Sequence, residues 1–245
     1  MNLFCCYTPA HGVLFTDYFL PSVPRVFSVI PFKLEIQGAG DFLSREFIEC
    51  ICRKLDLILR SIRENDGDVI VWSDIDIQFV DVRPEILLEQ LGEHDIAFQR
   101  EGRKVTDINS GFLICRCHPR VAAFFARVKE RLRQSMSTNE QYVINDLLRE
   151  GGADVSWTYL PITYYARTHG WPPPRDLVLY HANATPGKNG VQKKIRQFRE
   201  LDFLRRHRIP ALIITSIKYT PKRLIRLASE FFTGLGAGGR NSQPG

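Results

Sequence analysis

The segment from Val69 to Ile77 constrains the fold more than any other part of the sequence. Four consecutive apolar residues, Val69 to Trp72, are followed by Ser73 and then by two aspartates, Asp74 and Asp76. A strand that is apolar on both faces is typical of the centre of a covered, mainly parallel sheet. Ligands bind such sheets in the crevice beyond the carboxyl ends of the strands. We therefore predict an α/β fold with its functional site at the end of this strand.

The acid pair at the end of this strand indicates a metal or phosphate site. Two residues of extended chain rise about 6–7 Å and point their side chains to the same side. Asp74 and Asp76 can therefore converge on one Mn²⁺ or Mg²⁺ ion, since both ions prefer hard oxygen ligands. Two aspartates at this spacing also occur in solvated turns and at helix N-caps. The apolar strand before the pair favours the functional interpretation.

Length and composition bound the class of protein. A chain of 245 residues with 44% hydrophobic and 24% charged residues suits one large α/β domain. The net charge of +6 suits a phosphate-rich substrate or an anionic membrane surface, and no recognised nucleic-acid-binding motif is present. The six cysteines show no C-x-x-C spacing, which indicates reduced thiols. No apolar run approaches about 18 residues. We expect a cytoplasmic protein.

Strand and helix patterns alternate through the first 130 residues, which predicts a mainly parallel central sheet flanked by helices. We expect a single domain over residues 1–215, a basic amphipathic helix within 216–233 and a disordered tail over 234–245. That helix suits peripheral contact with the inner face of a membrane as well as packing on its own domain. The patterns predict strands over Leu3–Tyr7, Val26–Ile36, Ile96–Gln99, Phe112–Arg116, Val155–Leu160, Leu177–Tyr180 and Ala211–Thr215, besides the acid-pair strand, and helices over Ser44–Arg63, Arg83–Leu91, Pro119–Gln134, Glu140–Arg149, Gly190–Leu204 and Pro221–Phe232.

Polar residues from Asp107 to Gly111 precede another apolar strand. We interpret Gly111, at the end of this polar cluster, as a residue that lets a ligand approach the backbone closely. Asp107 or Asn109 can hydrogen-bond sugar hydroxyls there. A plain turn before a strand explains the same pattern equally well.

Two further segments place polar groups at the ends of regular elements. The apolar strand Leu177–Tyr180 runs into His181 and Asn183, and a neutral imidazole is a good ligand for ions such as Mn²⁺. Glu140 and Gln141 begin a helix, where Glu140 either faces the cleft or is a first-turn acid favoured by the helix dipole. The lysines after His181 are candidate phosphate contacts or solvated side chains, namely Lys188, Lys193 and Lys194.

Taken in order, these segments resemble the nucleotide-diphospho-sugar transferase family, the metal-dependent glycosyltransferases of the GT-A fold related to plant xylosyl- and galactosyltransferases. The matching stretches are Trp72–Ile77, Asn109–Leu113, Glu140–Tyr142 and Tyr180–Asn183, and the resemblance spans roughly residues 40–185 with a weaker match over Leu3–Val23. It implies transfer of a hexose or pentose from a nucleotide diphosphate donor, by default a UDP-sugar, to a glycan, protein or lipid acceptor. Glu140 departs from the family pattern, which more usually has an aspartate there.

The resemblance also implies roles for individual residues. Asp76 and His181 would bind the cation directly, and Asp74 would touch the ribose, or the metal through water. Lys54 would face the diphosphate or the acid pair, unless it is a solvated surface lysine. The other implied donor contacts are Tyr7, Thr8, Asn109, Ser110, Gly111, Asn183 and Lys188.

The family is of the retaining type, so the sugar keeps its anomeric configuration. We favour attack on the face from which the diphosphate departs, with a diphosphate oxygen as the base. Asp107 and Glu140 are alternatives as catalytic carboxylates, and Gln141 would line the cleft beside them.

Other classes of protein fit less well. Phosphatases of the haloacid dehalogenase type also carry two aspartates after a buried strand, but they need Thr or Val where this chain has Gln78. Sugar nucleotidyltransferases begin with a Gly-rich, Arg-containing loop, which residues 7–12 do not form. An inactive nucleotide- or membrane-binding relative is the remaining alternative. Such a protein should have lost an acid or the histidine, whereas Asp74, Asp76 and His181 are all present.

Overall fold

The computed structural model describes residues 1–38, 44–102, 107–135, 139–151, 154–167, 172–183, 185, 187–209, 213, 214, 217, 220, 221 and 224. Nine strands lie within this part of the chain: β1 (Asn2–Tyr7), β2 (Ser28–Lys33), β3 (Val69–Ser73), β4 (Ile77–Phe79), β5 (Ile96–Arg100), β6 (Ile108–Arg116), β7 (Trp157–Tyr159), β8 (Tyr164–Ala166) and β9 (Leu179–His181). The α-helices described are α1 (Gly12–Leu14), α2 (Arg45–Glu64), α3 (Pro84–Leu91), α4 (Pro119–Ser135), α5 (Glu140–Arg149) and α6 (Gly190–Arg206), and short 3₁₀ and π turns flank α1.

Six strands form the main sheet, in the order β2-β1-β3-β6-β5-β7. The pairs β1–β2, β1–β3 and β5–β7 are parallel, whereas β6 runs antiparallel to both of its neighbours. The sheet is therefore mostly parallel. Its edge strand β2 contains Pro31, which lacks a backbone N–H and is tolerated because an edge strand leaves one side unpaired. The acid-pair strand β3 lies in the interior of the sheet, as its apolar sequence predicts.

A second sheet with the order β4-β9-β8 begins at Ile77, the residue that directly follows the acid pair. β4 runs antiparallel to β9, so that Ile77 lies opposite His181. Asp74 and Asp76 therefore occupy the short link between the main sheet and the second sheet. Strand β9 brings His181 to that link from a position more than 100 residues later in the chain.

Helix α2 shows how local sequence builds the layer that covers the sheet. The Ser44 hydroxyl caps the helix by accepting a hydrogen bond from the Phe47 N–H at 3.1 Å. Its apolar positions recur at helical spacing and are buried in the core, together with side chains of α4, α5, β5 and β6. The buried apolar residues of α2 are Ile51, Leu55, Ile58, Leu59 and Ile62.

The structure corrects several predicted elements. Strand β6 begins at Ile108, so that Asn109, Ser110 and Gly111 lie within the strand. The predicted start of this strand at Phe112 is therefore wrong, and so is the alternative of a plain turn before it. The side chain of Asn145 extends the strand, because it accepts from the Ile108 N–H at 2.8 Å and donates to the Ile108 carbonyl at 3.1 Å. The strands β4 and β8 were not predicted. The predicted strand over Ala211–Thr215 is wrong, since its described residues, 213 and 214, are helical.

The chain divides into two compact units, Met1–Arg167 with Pro173–Arg199, and Thr168–Pro172 with Glu200–Gly245. The first unit contains every described strand. In the second unit Pro221 and Leu224 are helical. The rest of the predicted basic helix Pro221–Phe232 and the tail over residues 234–245 lie outside the described residues, and their membrane contact stays a prediction. Among the helices of the described part, none is long and apolar enough to cross a membrane.

Candidate active site

The acid pair is held in place by backbone hydrogen bonds from two different parts of the fold. The Asp74 N–H donates to the Gly111 carbonyl of β6 at 2.7 Å. The Asp76 carbonyl accepts from the Ala182 N–H, just after β9, at 2.8 Å. The link that carries the two carboxylates is thus fixed against both sheets.

The structure brings Asp74, Asp76 and His181 together, as the sequence predicts. One ligand atom from each residue lies within 4.8 Å of the other two. His181 Nε2 lies 3.3 Å from Asp76 Oδ1, and both side chains are buried. The Asp74 side chain is 31% exposed, so the cluster is open to ligands on that side. Two carboxylate oxygens and one imidazole nitrogen are a donor set that suits Mn²⁺ or Mg²⁺.

A side chain at position 111 would clash with His181. A Cβ atom on Gly111 would lie 2.3 Å from Cε1 and 2.9 Å from Nδ1 of the His181 ring. The space on the side-chain side of this glycine is therefore filled by His181. Contact of the Gly111 backbone with the donor stays a prediction. The absence of a side chain at Gly111 lets the imidazole reach the acid pair.

Lys54 is buried and binds two carboxylates. Its Nζ lies 2.7 Å from Asp74 Oδ1 and 2.9 Å from Glu140 Oε1, and it also donates to the Ser110 carbonyl at 3.3 Å. Burial alone would lower the pKa of Lys54, but the two carboxylates raise it above its usual range. The Glu140 carboxylate also accepts from the Ser110 hydroxyl at 3.1 Å. Lys54 is therefore not a solvated surface lysine, and Glu140 and Ser110 meet at its ammonium group.

Lys194 is the lysine that reaches the acid pair from α6. Its Nζ lies 2.6 Å from Asp76 Oδ2. Burial alone would raise the pKa of Asp76, but the positive charge of Lys194 holds that pKa below its usual range. The carboxylates of Asp74, Asp76 and Glu140 face only two ammonium groups, those of Lys54 and Lys194, which leaves one net negative charge among these five groups. That charge favours a cation.

Glu101 accepts hydrogen bonds from three amide side chains that the sequence predicts as site residues. Asn109 Nδ2 lies 2.5 Å and Gln141 Nε2 3.2 Å from Glu101 Oε2, and Asn183 Nδ2 lies 3.4 Å from Oε1. Glu101 was not among the predicted site residues, although an acid directly after strand β5 is a signal of the same kind as the acid pair. The Asn183 Oδ1 atom is buried without a hydrogen-bond partner among the described residues, so it can accept from a ligand hydroxyl.

The end of β1 contributes a second group of residues. The Tyr7 ring stacks on Phe15 with 4.4 Å between the ring centroids. The buried Thr8 hydroxyl is 2.8 Å from His11 Nδ1. Burial and the positive charge of Lys194 lower the pKa of His11 to about 4, so His11 is neutral at pH 7. His11 is a further member of this region that the sequence did not reveal.

Two predicted residues have other surroundings. Asp107 forms an ion pair with Arg149 at 3.1 Å. The side chain of Lys188 is exposed. The contacts within the described part of the chain bring neither residue to the acid pair.

Comparison with known proteins agrees with the family resemblance. A profile described as nucleotide-diphospho-sugar transferase matches residues 22–198. A search of curated proteins finds no significant match. The solved structures that resemble the chain include the apo-form glycosyltransferase GlyE of Streptococcus pneumoniae TIGR4, with a TM-score of 0.53 and 10% identity over 75% of this chain. The chain spans only 54% of the length of that protein.

A second similar structure is a glycosyltransferase involved in glycosylation of the major capsid of PBCV-1. It has a TM-score of 0.57 and 10% identity, and the match covers 80% of this chain and 98% of that one. At this identity both structures show a shared fold. The family profile covers well over half of the sequence. The chain therefore belongs to the nucleotide-diphospho-sugar transferase family and has the GT-A fold.

Proposed function

We propose that this glycosyltransferase transfers a sugar from a nucleotide diphosphate donor, by default a UDP-sugar, in a reaction that depends on a divalent cation. The observation that carries the proposal is the convergence of Asp74, Asp76 and His181 at the link between the two sheets. The net negative charge of the surrounding groups supports it, because the cation would be attracted to the site before the anionic donor arrives.

The donor set fits Mn²⁺ or Mg²⁺. Asp76 and His181 would hold the ion as buried ligands, and Asp74 would complete the set from its more exposed position. A cation bound there supplies neutralisation of the charge that develops on the diphosphate when the glycosidic bond breaks. Lys194 adds a second positive charge beside the cation site, because its ammonium group lies 2.6 Å from Asp76 Oδ2.

The residues around Glu101 would bind the sugar of the donor. Its carboxylate accepts hydrogen bonds from amides, and a sugar hydroxyl can replace or join those donors. The unpartnered oxygen of Asn183 provides another acceptor close by. Tyr7 and Thr8 at the end of β1 would contact the nucleoside, as the family resemblance implies.

We infer a retaining reaction in which the acceptor attacks from the face that the diphosphate leaves, with a diphosphate oxygen as the base. The alternative needs a free carboxylate to act as the nucleophile. Glu140 is buried against Lys54 and Ser110, and Asp107 is paired with Arg149. These contacts support same-face attack over a covalent intermediate on either residue.

Donor hydrolysis by the purified protein tests the proposal. A panel of sugar nucleotides would be incubated with Mn²⁺ or with a chelator, and release of the nucleoside diphosphate would be measured. Nucleotide binding would be measured in parallel, because some transferases hydrolyse their donor only when the acceptor is present. We expect metal-dependent release or binding that is lost in Asp76→Asn. The matched control is Asp81→Asn, which changes an exposed aspartate paired with Arg83.

Two results would contradict the proposal. One is the absence of both hydrolysis and Mn²⁺-dependent nucleotide binding in the wild type, which would favour a binding module that lacks transferase activity. The other is full activity of Asp76→Asn in the presence of the chelator.

A further inference from the structure

We propose that Gln99 is a positioning residue that fixes the His181 ring so that Nε2 faces Asp76 and the cation. The inference rests on the proposed metal dependence. Gln99 lies on β5, an interior strand of the main sheet, and is fully buried. A buried amide in a sheet interior is retained only where its polar atoms have partners.

The two ends of the Gln99 amide have different partners. Its Nε2 donates to the backbone carbonyl of Tyr164 at 3.1 Å. A carbonyl oxygen can only accept a hydrogen bond, so the NH₂ end of the amide must be the end that faces Tyr164. The Oε1 end is thereby turned towards His181.

The orientation of the amide decides which nitrogen of His181 carries a proton. Gln99 Oε1 lies 2.9 Å from His181 Nδ1, and an amide oxygen can only accept. Nδ1 must therefore carry the proton and donate it to Gln99. In the neutral imidazole this leaves Nε2 with a free lone pair.

The free lone pair of Nε2 points to a cation. It lies 3.3 Å from Asp76 Oδ1, which also has only lone pairs to offer. Two acceptor atoms at this distance repel each other unless a proton or a metal ion lies between them. Metal-binding histidines commonly donate their other ring N–H to an oxygen acceptor, which fixes the tautomer and the ring orientation.

Two further features of the fold make this placement specific. The pairing of β5 with β6 shifts register between Phe98 and Gln99, and this irregularity lies where the amide must reach His181. The ring also packs directly over Gly111, where no side chain intervenes. Gln99 thus holds the ring from one side while the bare backbone of Gly111 supports it from another.

Mn²⁺ affinity, measured without any nucleotide, tests the role. Gln99→Met keeps the length of the side chain but removes the acceptor for Nδ1–H, and we expect Mn²⁺ binding about 10- to 100-fold weaker than in the wild type. Gln99→Glu keeps an acceptor oxygen and should recover most of the affinity. The control Asp95→Asn alters a buried residue just before the same strand, whose partners include His118 and Ser156, and should leave Mn²⁺ affinity unchanged.

Nitrogen NMR of the metal-free protein, labelled at histidine, gives a second readout that does not depend on metal binding or catalysis. We expect a slowly exchanging Nδ1–H signal from His181, assigned by its loss in His181→Gln, and we expect it to be absent from Gln99→Met. An unprotonated Nδ1 of His181 in the wild-type protein would overturn the inference. So would Mn²⁺ affinity in Gln99→Met within about twofold of the wild type, well short of the loss typical for such partners.

The two readouts separate this inference from the proposed function. If the wild-type protein shows the Nδ1–H signal but binds no Mn²⁺, the metal dependence of the proposed function fails and the placement of the ring by Gln99 stands.

Discussion

Replacing Gly111 with alanine forces a methyl group into the ring of His181. The new Cβ would lie 2.3 Å from Cε1 of the ring, whereas ordinary van der Waals contact begins at 3.4 Å. The ring would have to retreat by about 1 Å, far beyond the tolerance of about 0.2 Å for a metal–ligand distance. His181 is only 4% exposed, so it cannot move freely into solvent.

The structure sets the size of the expected effects. Overpacking of a buried site costs about 1–3 kcal/mol in the free energy of unfolding, and each kcal/mol corresponds to about 2–4 °C in Tm for a chain of this length. A ring displaced by about 1 Å should weaken Mn²⁺ binding at least about 10-fold, the lower bound for loss of a supporting contact alone. Thermal unfolding and Mn²⁺ titration, both without nucleotide, would measure the two effects.

Two further variants decide whether the clash is the cause. Gly12→Ala is the matched control, because the added Cβ would meet no atom within 4 Å beyond its chain neighbours and its own helix backbone. The φ of Gly12, −53°, is helical. This control should leave Mn²⁺ affinity unchanged and Tm equal or slightly higher. In the double variant Gly111→Ala with His181→Ala the ring is gone, so the loss of stability should be smaller than the sum of the two single losses. Wild-type Tm and Mn²⁺ affinity in Gly111→Ala would refute the reasoning.

Three other predictions follow from the same geometry. Lys54→Met should lower the free energy of unfolding, measured in denaturant titrations, by about 3–5 kcal/mol. The reason is that it leaves the carboxylates of Glu140 and Asp74 without their ion-pair partner. A loss below about 1 kcal/mol would contradict the buried ion pairs. Hydrogen bonds outweigh burial and hold the pKa of Asp95 below its usual range, so its stabilisation is present above about pH 4 and lost as the pH falls. Stability measured between pH 3 and 7 should therefore fall less steeply with acid in Asp95→Asn, and an unchanged slope would argue against the shift. Glu101→Gln should lower donor turnover while leaving Mn²⁺ affinity intact, and equal losses in both would place Glu101 with the metal ligands instead.

The local parts of the fold could be predicted because they depend on short-range patterns. The apolar run before Asp74 places β3 in the interior of the main sheet, and the helical spacing of apolar residues places α2 over that sheet. Ser44 and Asn139 cap the starts of α2 and α5 through their own side chains. Each of these features involves residues within a few positions of one another, so the sequence displays them directly.

One misplaced boundary shows how tertiary contacts override a local pattern. Asn109, Ser110 and Gly111 are typical turn residues, yet they lie in β6 because the side chain of Asn145, 37 positions beyond Ile108, binds the backbone at the start of the strand. A turn signal is only a preference, and a buried hydrogen bond from another element is strong enough to reverse it.

Part of the site was visible in the sequence as polar residues at strand ends. Asp74, Asp76 and His181 follow apolar strands, and the edge where such strands end is where ligands bind. Glu101 follows β5 in the same way and was overlooked. Lys54 also gave a signal, because it lies on the apolar face of α2 between Ile51 and Ile58, where a charged residue requires a buried partner.

The sequence by itself determined the fold class, the position of the acid pair and the family. Only the tertiary structure decided which groups meet: Lys54 with Glu140 across 86 residues, and Gln99 with His181 across 82. A strand or helix pattern specifies which face of an element is buried, but it does not specify which other element covers that face. The partners of buried polar groups depend on the order of the strands in the sheets, and in this protein that order brings β9 and its histidine beside the carboxylates that follow β3.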